Sequence, residues 1–196
     1  MFRAALRLSR APSATDPYQP AETRIQITRQ LLGVFRTHPV NLLVIQTRSP
    51  LVERDFDIIE MLPFACLSMT VETNDDAVRK AWTPACPALA RRLDAMRRAR
   101  QRGIKVQAAV SSVLPHNRTD FVDLLSDAAD RVVIDTFSGD GAMGARTQRR
   151  PLPSRYIELG WGDWQNEAQA VLLREALVGR IGGNRVAWSS DGFNNL

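Results

Sequence analysis

The feature that most constrains the fold is a regular alternation between short apolar runs and stretches with helical spacing of apolar residues. Runs typical of buried strands occupy residues 40–47, 64–71, 104–113 and 131–136, with a shorter candidate at 185–188. Helical patterns occupy residues 22–37, 54–62, 75–82, 87–101, 117–128 and 165–178. Repeated strand–helix units favour a parallel sheet with right-handed crossovers, so the sequence predicts the α/β class.

Length and composition fit one domain. The chain has 196 residues, of which 44% are hydrophobic and 24% charged, as in an ordinary soluble globular protein. No apolar run reaches the length of a membrane span, so no membrane contact and a cytoplasmic location are expected. We interpret residues 1–14 as the remnant of a preceding element, and the glycine-, arginine- and proline-rich stretch within residues 138–164 as irregular.

The two cysteines, Cys66 and Cys86, are too few for a disulfide framework or a closed metal site. Cys66 lies in an apolar run, which favours a buried structural thiol. The two histidines, His38 and His116, have no second ligand at metal-binding spacing. The sequence therefore predicts no metal ligands.

The net charge is +5, and nearly all the cationic side chains are arginines. One arginine cluster, at residues 97–102, lies at the end of a predicted helix, where cations complement the helix dipole. A second, at residues 146–150, lies in the irregular stretch near Tyr156 and Trp161, where phosphate contact with base stacking is conceivable. Charge alone gives weak support for a nucleic-acid partner.

Hydroxyl and carboxyl groups follow four of the predicted strands, at residues 47–49, 70–72, 111–112 and 135–138. In parallel α/β folds, ligands bind at the carboxyl ends of the strands. The pattern is typical of a rim that binds a polar ligand. Helix capping and turn formation explain each residue equally well when it is taken alone.

Several short motifs occur in a fixed order between residues 15 and 117. They are TDPYQPAE (15–22), QTRSP (46–50) followed by Arg54-Asp55, LSMTVET (67–73), Arg79, Pro84 and Pro87 followed by RRL (91–93), Gly103-Ile104, and LPHN (114–117), with a weaker echo at 185–194. In this order they resemble radical S-adenosylmethionine proteins of the spore photoproduct lyase-like group, in the part that follows the cluster-binding loop.

The resemblance implies a partial parallel (β/α) barrel of radical S-adenosylmethionine type that lacks its first strand–helix unit. It also implies two cofactors, S-adenosylmethionine and a four-iron four-sulfur cluster. The cofactor-binding residues that it suggests are Asp16, Tyr18, Ser49, Ser68, Glu72, Arg79 and Ser111. Of these, Glu72, Ser68 and Asp16 would accept from the ammonium and ribose hydroxyls, and Arg79, or else Arg48, would bind the carboxylate.

The sequence also departs from the family pattern. The CxxxCxxC cluster loop is absent, Arg48 stands where the family has lysine, and Thr83 stands where it has glutamate. The chain is therefore expected to be inactive alone, and either to need a separately encoded cluster-binding half or to self-associate. The alternatives are a basic nucleic-acid-binding module on the same fold and a non-catalytic remnant. Resemblance at cofactor positions leaves the substrate and the catalytic residues undetermined.

Overall fold

The computed structural model describes residues 5–8, 16–136, 156–164 and 167–188, and for residues 5–8 only the backbone. Six parallel strands form one sheet in which the spatial order is the chain order. The strands are β1 (Ala5–Leu8), β2 (Leu42–Thr47), β3 (Ala65–Thr70), β4 (Lys105–Ser111), β5 (Arg131–Asp135) and β6 (Val186–Trp188). The predicted α/β class with a parallel sheet is confirmed.

Helices connect successive strands. They are α1 (Glu22–Ile25), α2 (Ile27–Thr37), α3 (Phe56–Ile59), α4 (Asp76–Trp82), α5 (Leu89–Gln101), α6 (Arg118–Ala128) and α7 (Ala168–Ile181). Short 3₁₀ segments occupy Pro50–Asp55, Gly162–Trp164 and Gly183–Arg185. A consecutive strand order with right-handed crossovers places the connecting helices on one face of the sheet, as in β/α barrels.

The two faces of the sheet differ in chemistry. Alternate strand residues pack with the helices in the main core, among them Ile45, Leu67 and Val110. Residues of the opposite parity form a second row that is also buried and includes Ser68 and Gln107. The second face therefore has buried polar side chains in the middle of the sheet, where the first face has apolar side chains.

Two predicted helices differ from the structure. The helix predicted at residues 22–37 is divided at Gln26, which has a left-handed backbone (φ 55°), so Ile25 is 54% exposed instead of facing the core with Leu32 and Phe35. The helix predicted at residues 54–62 is replaced by the 3₁₀ turn Pro50–Asp55 and the four-residue α3. Pro63 limits the carboxyl end of this segment, because the residue before a proline disfavours the α conformation.

The other boundaries agree with the sequence within a few residues. Asn117 caps α6 through a hydrogen bond from the Asp120 amide. The last helix continues past Gly179 and ends at Gly182 (φ 86°). Most of the irregular stretch predicted at residues 138–164 lies outside the described residues, and its described part includes the turn at Gly162–Trp164.

Candidate binding site at the carboxyl ends of the strands

Asp16, in the TDPYQPAE motif, fixes that segment to the end of β2. Its carboxylate accepts hydrogen bonds from the Thr47 hydroxyl (2.5 Å), the Arg48 amide (2.7 Å) and the Tyr18 amide (2.9 Å). Three donors to one carboxylate make a stable tether. The predicted residue Asp16 thus lies at the carboxyl ends of the strands. Its carboxylate oxygens accept hydrogen bonds from groups of the protein itself.

Glu72 is the central residue at the carboxyl ends of the strands. It follows β3, is 4% exposed, and accepts from Arg48 Nε (2.8 Å) at one oxygen and from Arg92 Nη1 (3.0 Å) at the other. Arg92 is fully buried and also donates to the Thr70 carbonyl (2.8 Å). The carboxylate is therefore held between two guanidinium groups at a strand end.

Unused hydrogen-bond donors remain beside Glu72. Two guanidinium groups share this one carboxylate, and Arg92 Nη2 is buried without a hydrogen-bond partner. The Ser112 hydroxyl is also buried without a hydrogen-bond partner. The Leu114 amide donates to the Glu72 carbonyl (3.0 Å) and so holds this segment beside Glu72. Buried donors without acceptors are costly, so this arrangement suits a ligand that carries an anionic or hydroxyl oxygen.

The ends of β4 and β5 add a second polar pair. Ser111 and Asp135 are register partners, and the Ser111 hydroxyl donates to the Asp135 carboxylate (3.4 Å). Asp135 is 1% exposed and also accepts from the Thr136 amide. Polar groups therefore line the sheet edge from β2 to β5, as the pattern of strand ends predicts.

Arg79 has a different environment from the one that the resemblance suggests. Its guanidinium is 5% exposed and donates to the Asp76 carboxylate (2.6 Å) and to the Cys86 carbonyl (2.6 Å). These contacts close the loop between α4 and α5. Two arginines, Arg79 and Arg48, were predicted to bind the ligand carboxylate. Of these two, it is Arg48 that contacts Glu72.

The remaining predicted residues occupy three different places. Ser68 lies in the middle of β3, fully buried, and accepts from Gln107 Nε2 (3.1 Å). Ser49 caps the 3₁₀ turn by accepting from the Leu51 amide. Tyr18 is buried against the Arg54 guanidinium, 5.9 Å from its ring centre, and burial beside Asp55 raises the pKa of its hydroxyl.

Arg92 is part of this site, although the sequence analysis gave it no role. It belongs to the buried side of α5 together with Leu89, Leu93 and Met96. The sequence did contain a signal for this role. Arg92 lies at a position of the i, i+3, i+4 helical pattern whose other members are apolar. Such a charge is retained only when a partner meets it inside the fold.

An aromatic cluster packs beside Glu72. Val78, Leu114 and Tyr156 are buried in it, with Trp82, Trp161 and Trp164 at its border. The His116 ring lies 4.9 Å from that of Trp164 and 5.0 Å from that of Phe121, and its Nδ1 is 2.8 Å from the Leu114 carbonyl. Burial lowers the pKa of His116, so the neutral ring is favoured there.

The cysteines do not fit an iron–sulfur cluster. Cys66 is buried, and burial raises the pKa of its thiol to about 12, so it stays protonated at neutral pH. Cys86 is the only other cysteine in the sequence. Within the described residues, no three His, Cys, Asp or Glu side chains gather as metal ligands. Cysteine thiolates hold four-iron four-sulfur clusters, and these two cysteines do not supply such a ligand set.

The arginine cluster of α5 is engaged in ion pairs. The pairs are Arg97–Asp127, Arg98–Glu53, Arg100–Asp130 and Arg102–Glu60, with nitrogen–oxygen distances of 2.6–3.1 Å. A cleft of about 490 Å³ between some of these residues lies near Lys105, where β4 begins, away from Glu72. The positive charge of this surface is therefore largely balanced. The second cluster, at residues 146–150, lies outside the described residues.

No helix in the described part of the chain combines the length and the apolar character needed to cross a membrane.

Two curated proteins are similar to this chain. An uncharacterized protein of Methanocaldococcus jannaschii is 27% identical over 113 residues, which is 57% of this chain and 41% of the relative. An uncharacterized protein of Acidianus two-tailed virus is 28% identical over 153 residues, 74% of this chain and 48% of the relative. The matches thus span less than half the length of each relative. No family model matches the sequence.

Proposed function

We propose that this chain is the carboxyl-terminal barrel portion of a radical S-adenosylmethionine protein of the spore photoproduct lyase-like group, and that it binds S-adenosylmethionine at the edge around Glu72. The observation that carries the proposal is the buried Glu72 between Arg48 and Arg92. This site lies within the LSMTVET motif, one of the segments on which the resemblance rests.

The chemistry of the donor set supports this ligand. S-adenosylmethionine carries an ammonium group, a carboxylate and two ribose hydroxyls, so its site needs acceptors and a cation close together. Carboxylate oxygens of Glu72, after β3, and of Asp135, at the end of β5, are acceptors on either side of the end of β4. Arg48 and the unpartnered Nη2 of Arg92 are donors for the ligand carboxylate.

In the resembled family, S-adenosylmethionine bound next to a reduced iron–sulfur cluster would supply the radical that abstracts a hydrogen atom. The cluster has no ligand set in this chain, so the contribution proposed here is to bind and orient the cofactor and to exclude water. Under this proposal a separate polypeptide supplies the cluster. The chain alone is then a binding protein with no turnover of its own.

Calorimetric titration with S-adenosylmethionine tests the proposal. We expect Glu72→Gln to weaken binding at least tenfold, because it removes the charge that attracts the ammonium group and releases both arginines. The matched control is Glu60→Gln, which removes an exposed carboxylate paired with Arg102 and should leave the affinity unchanged.

Circular dichroism at the titration temperature verifies that each variant is folded. Absence of binding by the wild-type chain, or equal affinity of wild type and Glu72→Gln, would contradict the proposal.

A further inference from the structure

Helix α2 has three chemically distinct sides. Thr28, Leu32 and Phe35 are buried against the sheet. Arg29 projects toward the next connection along the chain, where its guanidinium binds Asp55 (3.0 Å) and Asp57 (2.7 Å). The other flank carries an apolar stripe.

The apolar stripe consists of Ile27, Leu31 and Val34. At about 100° per residue, these three side chains lie within about 60° of one another and on the opposite side from Arg29. Ile27 is 62% exposed and Val34 is 50% exposed, while Leu31 is half-buried against the core. Two large apolar side chains in solvent beside a third form a contact surface that no described residue covers.

The position of the stripe follows from the topology. Helix α2 connects β1 to β2, and its Arg29 flank faces α3, which leads to β3. The stripe therefore faces the other way, beyond β1. Within the described residues β1 pairs only with β2, so the same side of the molecule also presents the free backbone edge of a parallel strand.

We propose that this side of the molecule docks a β-strand–α-helix unit of a partner polypeptide, with the strand parallel to β1 and the apolar face of the helix on the stripe. A free parallel edge and an apolar helix flank next to it are the two surfaces that a neighbouring strand–helix unit covers in a sheet of this type. More than half the length of each curated relative lies outside its match to this chain. This inference rests on the fold and is independent of cofactor binding.

A second copy of the chain fits the surface less well. A two-fold dimer through β1 would pair the two edges antiparallel, through a strand of four residues. Three stripe residues cover far less than the roughly 1,200–2,000 Å² that a stable interface buries. A strand–helix unit extends the sheet in the existing parallel sense and uses both surfaces together.

The experiment uses the full chain with a separately produced probe. The probe is the portion of the Methanocaldococcus jannaschii relative outside its matched segment, and sedimentation velocity measures complex formation at low micromolar concentration. We expect a one-to-one complex with the wild-type chain. The double variant Ile27→Glu/Val34→Glu should weaken it at least tenfold, because it places two charges in the apolar contact.

Leu172→Glu is the matched control, since Leu172 is an exposed apolar residue of α7, the connection at the other end of the sheet. It should bind the probe as the wild type does. Three results would overturn the inference: no complex with the wild-type chain, equal weakening by Leu172→Glu, or a wild-type homodimer that the double variant abolishes. Cofactor titration of the same variants separates this result from the test of the proposed function.

Discussion

At the scale of the residue, the most informative group is the Arg92 guanidinium. An isolated buried cation costs several kcal/mol, and this one is compensated by Glu72 and by the Thr70 and Pro87 carbonyls. One nitrogen, Nη2, remains without a partner. The side chain therefore both stabilises the position of Glu72 and leaves a donor unused at the proposed site.

Replacing Arg92 by methionine should reduce the free energy of unfolding by about 3–5 kcal/mol, because the change removes one partner of a buried ion pair. Urea denaturation measures this quantity. Arg102→Met, which removes the exposed pair with Glu60, should reduce the free energy of unfolding far less, because solvent screens that pair. Similar losses in the two variants would mean that the Arg92–Glu72 pair has no special energetic role.

Single residues show how far the sequence alone could go at this site. Glu72 was predicted from its place after a strand and from the family resemblance, and Asp16 from the resemblance alone; both lie at the carboxyl ends of the strands. The partner of Glu72 could not be selected from the sequence, because Arg48, Arg79 and Arg92 are 24, 7 and 20 residues from it in the chain. Which guanidinium reaches a carboxylate depends on loop conformation, and the loop at residues 83–87 directs Arg79 elsewhere.

At the scale of the element, the break between α1 and α2 has a local cause. Gln26 takes the left-handed conformation, and the Glu22 carboxylate then accepts from the Thr28 amide at the start of α2. A glutamate six residues earlier thus caps the helix, and the Thr28 hydroxyl donates to the Pro17 carbonyl (2.7 Å). The apolar pattern at residues 22–37 did not reveal this break, since Gln26 is an ordinary helix residue by propensity.

Glycine at position 26 should stabilise the protein, because left-handed backbone costs an L-residue about 1 kcal/mol and glycine almost nothing. We expect Gln26→Gly to raise the free energy of unfolding by about 0.5–1 kcal/mol in chemical denaturation. Gln30→Gly, within α2, is the control and should lower it by about 1 kcal/mol. A loss of stability in both variants would show that residues 22–37 form a continuous helix in solution.

Strands were the elements best predicted from the sequence. Their apolar runs are short and bounded by proline or polar residues, and the structure places β2 to β5 within those runs. The helix predicted at residues 54–62 is confirmed only over Phe56–Ile59, because the apolar spacing of this segment is shared by a 3₁₀ helix followed by one α-helical turn. Spacing over so few residues does not distinguish the two.

At the scale of the whole molecule, acid sensitivity should arise in part from His116. This ring is half-buried between Phe121 of α6 and Trp164, and partial burial lowers its pKa. The unfolded chain, whose histidine titrates near pH 6.5, binds the proton more readily than the folded chain does. Stability is therefore lost as the pH falls through this range.

We expect the free energy of unfolding to decrease between pH 7 and pH 5, and the decrease to be smaller in His116→Gln. His38→Gln, at an exposed histidine, is the control for the substitution itself. Denaturation curves at several pH values, followed by tryptophan fluorescence, provide the measurement. A His116→Gln profile identical to that of the wild type would rule out this histidine as a source of acid sensitivity.

The consecutive order of the strands also bears on how the chain is made. Each strand from β2 onward pairs with the one synthesised just before it, so no strand must wait for a distant segment before it finds its first neighbour. Folding can therefore follow synthesis from one end to the other, at a pace set by the ribosome. For the same reason, a strand–helix unit can be gained or lost at either end of the gene while all pairings among the remaining strands are kept.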